Sequence, residues 1–369
     1  MKEFIPKELP VELELTPKIY KALNLASRKL GELNGFIKTI PNQDILINSL
    51  VLQEAKDSSE IENIITTHDE LFSAQIDESK ITQSAKEVLR YEVALKKGYS
   101  LIKKDNLLLN KHILEIQKLL ERNCAGFRTQ SGTMLKNPST GEIKHIPPQN
   151  NRDIIRLMTN LERYINDDSD DIDPLIKLAI IHYQFETIHP FYDGNGRTGR
   201  IINVLYLVYK ELLDLPILYL SAYIIKNKAE YYRLLRSVSE KSTWNEWIEY
   251  ILKGIEQTAA ASVDMIKSID QAMQKFGNLL QEKEPKIYSK DFIELLFSYP
   301  YTKIGSVENS LKITRQTAAK YLKIAQDLGI FKCVKLGKYS YFVNLSLYEI
   351  LKKGLNIKWS WKVYFFNTF

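Results

Sequence analysis

Apolar residues recur at three- and four-residue spacing in segment after segment from residue 16 to residue 276, and this constrains the fold more than any other feature. "TPKIYKALNLASRKLGELNGFI" opens with Thr16 as a cap and Pro17 at the first helical position. The rhythm continues through "DILINSLVLQEAKD", "SAKEVLRYEVALKKGYSLI", "LNKHILEIQKLLER" and "NRDIIRLMTNLERYIND". "DPLIKLAIIHYQFETI" lines up Leu175, Leu178, Ile181 or His182, and Phe185. "GRIINVLYLVYKELL" is apolar nearly all round, which predicts a central buried helix. "KAEYYRLLRSV" and the run from Ser242 to Phe276 complete a mainly α chain. One segment, 126 to 150, breaks the rhythm. Two short stretches flank "NPSTGE", a turn composition, and predict a β-hairpin on the helical body.

A length of 369 residues predicts two or three domains, and 44% hydrophobic with 26% charged residues excludes wholesale disorder. Cys124 and Cys333 are too few and too far apart for a disulfide framework or a thiolate metal site. The opening "MKEFIPKELPVELEL" does not read as a secretory signal, and no apolar run reaches the ~18–20 residues of a membrane span. A cytoplasmic protein with no membrane partner is expected. The net charge of +6 is localised: residues 286 to 345 hold ten Lys/Arg and four acids, leaving 41 of each elsewhere. A basic C-terminal module on a neutral body points to a polyanionic partner for that module. The charged joint "QEKEPK" precedes the module, which reads helix, tight turn, helix, then two strands around Leu336-Gly337-Lys338, a winged helix-turn-helix outline.

"HPFYDGNGRTGR", residues 189 to 200, is the densest polar cluster, set between two predicted helices. Each residue type suits a nucleoside triphosphate. Gly194 and Gly196 allow backbone N–H groups to converge as an anion nest, reinforced by the following helix N-terminus. Arg197 and Arg200 share one face of the first turn and suit phosphate oxygens. Asp193 is a hard carboxylate placed to hold Mg²⁺ between phosphates. His189 titrates near neutral pH and can take a proton from an attacking hydroxyl. The implied chemistry is nucleotidyl or phosphoryl transfer. "GNGRTG" also matches the dinucleotide fingerprint, but that pattern needs a preceding strand, and here a helix precedes. His182 has no metal-ligand spacing around it and reads as a core histidine.

At these residues the chain resembles the Fic family, whose signature is H-P-F-x-D/E-G-N-G-R-x-x-R; every defined position is matched, and the similarity extends over roughly residues 1 to 255. The resemblance implies a Fic-type helical core with a small hairpin flap, transferring AMP from ATP to a Ser, Thr or Tyr hydroxyl of a target protein. It makes His189 the general base, Phe191 a buried anchor and Asp193 the Mg²⁺ ligand. Gly194, Asn195 and Gly196 would form the anion hole, within a nucleotide loop that also contains Thr198 and Gly199. Arg197 would bind the β-phosphate and Arg200 the γ-phosphate. Tyr232, with Tyr231 and Asn227, would border the adenine, although adjacent tyrosines on a helix are also ordinary packing residues. The flap at 128–146 would clamp the target segment by strand addition.

The resemblance also implies an inhibitory motif, S/T-x-x-x-E-G/N, fitted by Ser58, Glu62 and Asn63 in the class with an N-terminal inhibitory helix. Glu62 would pair with Arg200 in the γ-phosphate's place, and in some relatives this glutamate also supports AMP removal. Read without the family, "SSEIENI" is the start of a helix, with Ser59 and Glu62 forming a capping box. The expected organisation is an N-terminal region at 1–100, a catalytic core at 101–255, a connecting helix and linker at 256–284, the winged helix at 285–350 and an aromatic tail at 351–369. In the winged helix, Arg315, Gln316, Thr317 and Lys320 would begin the recognition helix, with Lys335 and Lys338 on the wing, facing DNA or else a protein or a second copy of the chain. The competing functions are a DNA-binding regulator with the Fic core as sensor, and transfer of another nucleotide.

Overall fold

A computed structural model describes residues 2–354 apart from 69, 72–80, 137–139 and 337–338, and the side chains of 336 and 339. The expected Lys338 contact and the tail beyond Gly354 therefore lie outside the described residues. The helices are α1 (Pro17–Ile37), α2 (Asp44–Ile61), α3 (Gln83–Asp105), α4 (Asn110–Glu121), α5 (Asn151–Asn166), α6 (Pro174–Ile188), α7 (Asn195–Tyr209), α8 (Leu220–Lys226), α9 (Lys228–Lys241) and α10 (Trp244–Lys283). Between α4 and α5, β1 (Leu135–Lys136) and β2 (Ile143–His145) pair antiparallel as the expected hairpin. Pro17 occupies the first turn of α1, but the Thr16 side chain makes no cap bond.

The helices α6 and α7 form the centre. Every α6 residue from Leu175 to Ile188 is buried except Glu186, and α7 is buried from Asn195 to Val208 except at Gly196. Burial on all sides removes the freedom of both helices to shift. The loop between them is thus anchored at each end. Around them pack α2, α3, α4 and α5, while α10 lies along α1 and touches α6, α8 and α9.

The helix α10 is continuous from 244 to 283 and spans about 60 Å at 1.5 Å per residue. It carries the chain into the C-terminal region: α11 (Lys290–Ser298), β3 (Tyr301–Lys303), α12 (Ile304–Leu311), α13 (Arg315–Asp327), β4 (Phe331–Leu336), β5 (Tyr339–Asn344) and α14 (Leu345–Lys353). The strands form an antiparallel sheet in the order β3-β5-β4. Phe276 of α10 meets Phe292, Phe297 and Phe331, which seat this region on the rod, and α11 packs on α2.

One expectation is corrected. "SSEIENI" does not begin a helix; it ends α2. The amide of Asn63 bonds the Glu60 carbonyl and that of Ile64 bonds the Ser59 carbonyl, with Asn63 left-handed at φ 62. These two bonds make a Schellman stop, where Asn or Gly is favoured because other side chains are strained. The helix expected through Asp57 runs on to Ile61, with Ser58 and Ser59 buried in it like Glu54 and Asp57.

Candidate active site

His189 caps the C-terminus of α6 in a left-handed conformation (φ 50, ψ 59), its amide donating to the Phe185 carbonyl. Pro190 prevents the helix from continuing. Phe191 is fully buried, 5.5 Å from the Phe127 ring. The Asn195 amide brackets Phe191, its Oδ1 accepting the Phe191 N–H and its Nδ2 donating to the Phe191 carbonyl, both at 2.8 Å. Asn195 therefore closes the loop with its side chain. Asp193 is exposed, and its Oδ1 accepts the Gly194 N–H at 2.7 Å. Gly194 has φ 76 and precedes the first turn of α7, whose leading amides lack intrahelical partners.

A second support, Arg128, carries no signal in the sequence. Fully buried, it donates from Nε to the His189 carbonyl at 2.8 Å and from Nη2 to the Pro148 carbonyl, and its amide donates to Pro190 O at 2.9 Å. It ties the start of the flap to the loop. Tyr192 does the same from the other side, its hydroxyl accepting the amides of Thr129 and Gln130.

Burial, and then the charges of His145 and Arg128, push the His189 pKa down to about 4, with Glu62 pulling weakly the other way. The imidazole is thus neutral at neutral pH. Its Nδ1 is buried with no hydrogen-bond partner among the described residues.

Arg200 is 2% exposed and fully engaged on one side: Nε donates to Ser58 Oγ at 2.7 Å, and Nη2 donates to Ser58 O at 2.9 Å and to Glu62 Oε1 at 2.8 Å. Burial pushes the Glu62 carboxyl up, but Arg200, by charge and hydrogen bond, outweighs it and holds Glu62 below the usual carboxylate range. Glu62 also lies against the first turn of α7: a Cβ on Gly196 would strike its Oε1. Behind the pair, burial raises Glu186 to about 7, opposed by Arg200. Among the described residues Glu186 Oε1 and the buried Thr198 hydroxyl have no partner. Gly199 leaves room for Glu186, whose Oε1 would lie 2.6 Å from an added Cβ.

Arg197 is 4% exposed and donates from Nη2 to Glu121 Oε1 at 2.7 Å, with Nη1 3.5 Å from Glu87. Its Nε and Nη1 are buried without hydrogen-bond partners among the described residues. Tyr231 is buried, its hydroxyl 2.9 Å from His182 Nε2 and its ring beside Trp247, and His182 is indeed a core residue stacked on Trp247. Tyr232 is 48% exposed and feels the Glu62 and Arg200 charges. Asn227, half-buried, joins α8 to α9 and donates to the Tyr223 carbonyl.

The basic residues of the C-terminal region lie apart from this constellation. Arg315, Gln316 and Lys320 are exposed on α13, and Lys335 is exposed on β4. Arg315 is 3.7 Å from Glu308, and the Thr317 hydroxyl is 2.9 Å from that of Thr314 at the helix cap. Among the described residues no cluster of three or more metal-ligating side chains occurs, and no helix is long and apolar enough to cross a membrane.

Residues 20–100 match the Fic/DOC family N-terminal model, 107–207 the Fic/DOC family model, and 272–347 the C-terminal domain of SoFic-like protein adenylyltransferases. "Probable protein adenylyltransferase aq_aa38" of Aquifex aeolicus is 28% identical over 302 residues, covering 78% of this chain and 83% of the relative. "Protein adenylyltransferase fic-1" of Caenorhabditis briggsae is 26% identical over 141 residues, covering 37% of this chain. The chain spans about a quarter of the length of that relative and of its Caenorhabditis elegans counterpart. Among solved structures, a Fic family protein from Desulfovibrio desulfuricans G20 shares the fold with a TM-score of 0.57 at 19% identity, over 91% of this chain and 98% of the other. Fic-1 (residues 134–508) from C. elegans does so with a TM-score of 0.51 at 20% identity, over 68% and 73%. The chain carries an N-terminal Fic/DOC region, a Fic domain and a SoFic-like C-terminal domain.

Proposed function

We propose that the chain is a protein adenylyltransferase, transferring AMP from ATP to a hydroxyl of a target protein and restrained by its own Glu62. The observation that carries this reading is that a neutral His189 at the end of α6 and two buried arginines in the first turns of α7 flank one loop. The target oxygen attacks the α-phosphorus, its proton passes to the His189 imidazole, and the bond to pyrophosphate breaks. A base with a depressed pKa is already deprotonated at neutral pH. The leading amides of α7 and the unpaired Nε of Arg197 would meet charge that builds on the phosphates. Arg128 and Asn195 hold the loop so that little reorganisation is needed.

The donor set fits Mg²⁺ in part. Asp193 is an exposed hard carboxylate beside the amide nest, and phosphate oxygens and water would complete the shell. Bound there, Mg²⁺ would neutralise phosphate charge. Tyr232 would border the adenine, and Tyr231 would support it from beneath. The flap at 128–146, fastened by Arg128 and Tyr192, would receive the target segment.

Glu62 would act as a lock, meeting Arg200 where a γ-phosphate would sit; Ser58 holds Arg200 itself, and the left-handed Asn63 ends the turn that carries Glu62. We read the C-terminal region as a winged helix, with Arg315, Gln316, Thr317, Lys320 and Lys335 as its DNA-facing set. That second activity predicts steep loss of DNA affinity with added salt. The decisive experiment is incubation with α-labelled ATP and lysate. Labelled protein that vanishes in His189→Ala supports the transferase. No labelling even with Glu62→Gly would sink it, and labelling from another nucleotide alone would change the donor.

A further inference from the structure

Glu121, the partner of Arg197, takes no direct part in the transfer step. It is the last residue of α4, where the helix dipole disfavours a carboxylate, and its side chain is only 14% exposed. Its neighbours make the placement more costly still. Burial pushes its pKa up, and Asp193 and Glu87 add to this, against the opposing Arg197 and Arg90. The carboxylate also presses on Gly194, where a Cβ would come within 2.5 Å of Oε1. A glutamate held against these costs needs a compensating role.

Arg197 supplies the geometry. Of its donors, Nη2 is spent on Glu121 at 2.7 Å, while Nε and Nη1 are buried and have no hydrogen-bond partner among the described residues. Nη1 keeps a longer ion-pair contact with Glu87, so Nε is the buried donor that lacks an acceptor. Nη1 is steered from the far side by Glu87, 3.5 Å away on α3. Two helices outside the loop therefore fix the plane of a long side chain that would otherwise rotate freely.

We propose that Glu121 is a positioning residue for nucleotide binding: anchored on α4, it orients Arg197 so that Nε, the donor left without an acceptor, faces the diphosphate portion of the nucleotide. This rests on the transferase reading for the location of the nucleotide. Glu121 touches no substrate and acts only through Arg197. It differs from Glu62, which would leave when ATP binds; Glu121 stays in place.

The test is calorimetric titration of the full-length chain, wild type and Glu121→Gln, with ADP and with AMP in the presence of Mg²⁺. ADP carries the phosphate that Arg197 would hold and lacks the one that competes with Glu62. Loss of orientation should weaken ADP binding about tenfold, the usual scale for a charge-assisted contact, and leave AMP binding unchanged. Glu121→Ala should weaken ADP further, since glutamine still offers Nη2 a carbonyl oxygen. Equal weakening of ADP and AMP would show a merely structural residue and overturn the proposal. Tighter ADP binding would overturn it by making Glu121 a competitor. Wild type that binds neither nucleotide would instead remove the transferase reading itself. Melting temperatures of both variants separate these outcomes from misfolding, and a Glu87→Gln chain, altered at the weaker contact, should show a smaller loss of the same ADP-selective kind.

Discussion

Replacing Glu62 by glycine should tighten ATP binding and leave ADP binding alone. The pair it removes is short, Arg200 Nη2 to Glu62 Oε1 at 2.8 Å. Coulomb's law at an effective dielectric of about 20 gives a ceiling of roughly 6 kcal/mol at that separation. The Glu62 side chain is 35% exposed, so water screens the pair, and a charge-assisted bond of about 1.5–3 kcal/mol is the better guide. A γ-phosphate that must first displace Glu62 forfeits that amount. Removing the glutamate should therefore lower the ATP Kd by about tenfold to a hundredfold, at about 1.4 kcal/mol per tenfold. Folding should suffer less, by about 1 kcal/mol, because Ser58 still accepts two bonds from Arg200. The assay is paired titration of ATP and ADP into wild type and Glu62→Gly, followed by AMP-transfer rates with α-labelled ATP. If ATP affinity is unchanged, or ADP improves equally, Glu62 does not occupy the γ-phosphate position and the lock is refuted.

Asn63 should behave as a conformational stop. Asn63→Gly keeps the left-handed turn at φ 62 and should preserve restraint, whereas Asn63→Ala strains it by about 1 kcal/mol and should partly mimic Glu62→Gly in ATP affinity. A third expectation concerns pH. Burial raises the Glu54 pKa from 4.5 to about 8, so the folded chain holds a proton that the unfolded chain releases. The stability tied to that proton is complete below about pH 4.5 and is lost as pH rises through 8. Glu54→Gln keeps the shape without titrating. Wild type should therefore lose stability relative to it, by on the order of a few kcal/mol, between about pH 5 and 8 in denaturant melts. Parallel curves for the two chains would refute the assignment.

The stretch 189–200 was legible because its chemistry is contiguous: proline stops one helix, glycine precedes the next, and the charged residues lie in the loop and in the first turns of α7. The buried α7 and the hairpin were legible from periodicity and its interruption. What could not be read depends on contacts distant in sequence. Arg128 reaches the His189 carbonyl across 61 residues, and Glu121 reaches Arg197 across 76. A single arginine in an irregular segment and a glutamate ending an amphipathic helix carry no pattern. The α2 terminus was misread for a related reason. Sequence reading assigns polar residues to the surface, but Glu54, Asp57, Ser58 and Ser59 are buried; Glu54 finds its hydrogen bonds at Tyr91 and Ser221, and Ser58 meets Arg200.

The packing of α11 on α2 makes the helix that carries Ser58 and Glu62 a shared wall. Its far side is covered by the C-terminal region, with Gly354 beside Gln53. A chain cut before residue 285 would expose that wall to water, and its ATP affinity would no longer describe the intact protein. Linkage adds a stricter consequence. If ATP and a ligand of the C-terminal region each favoured one position of α2, the factor by which either changed the other's affinity would be the same. The two ends of the molecule can therefore be compared by two titrations, each performed with and without the other's ligand.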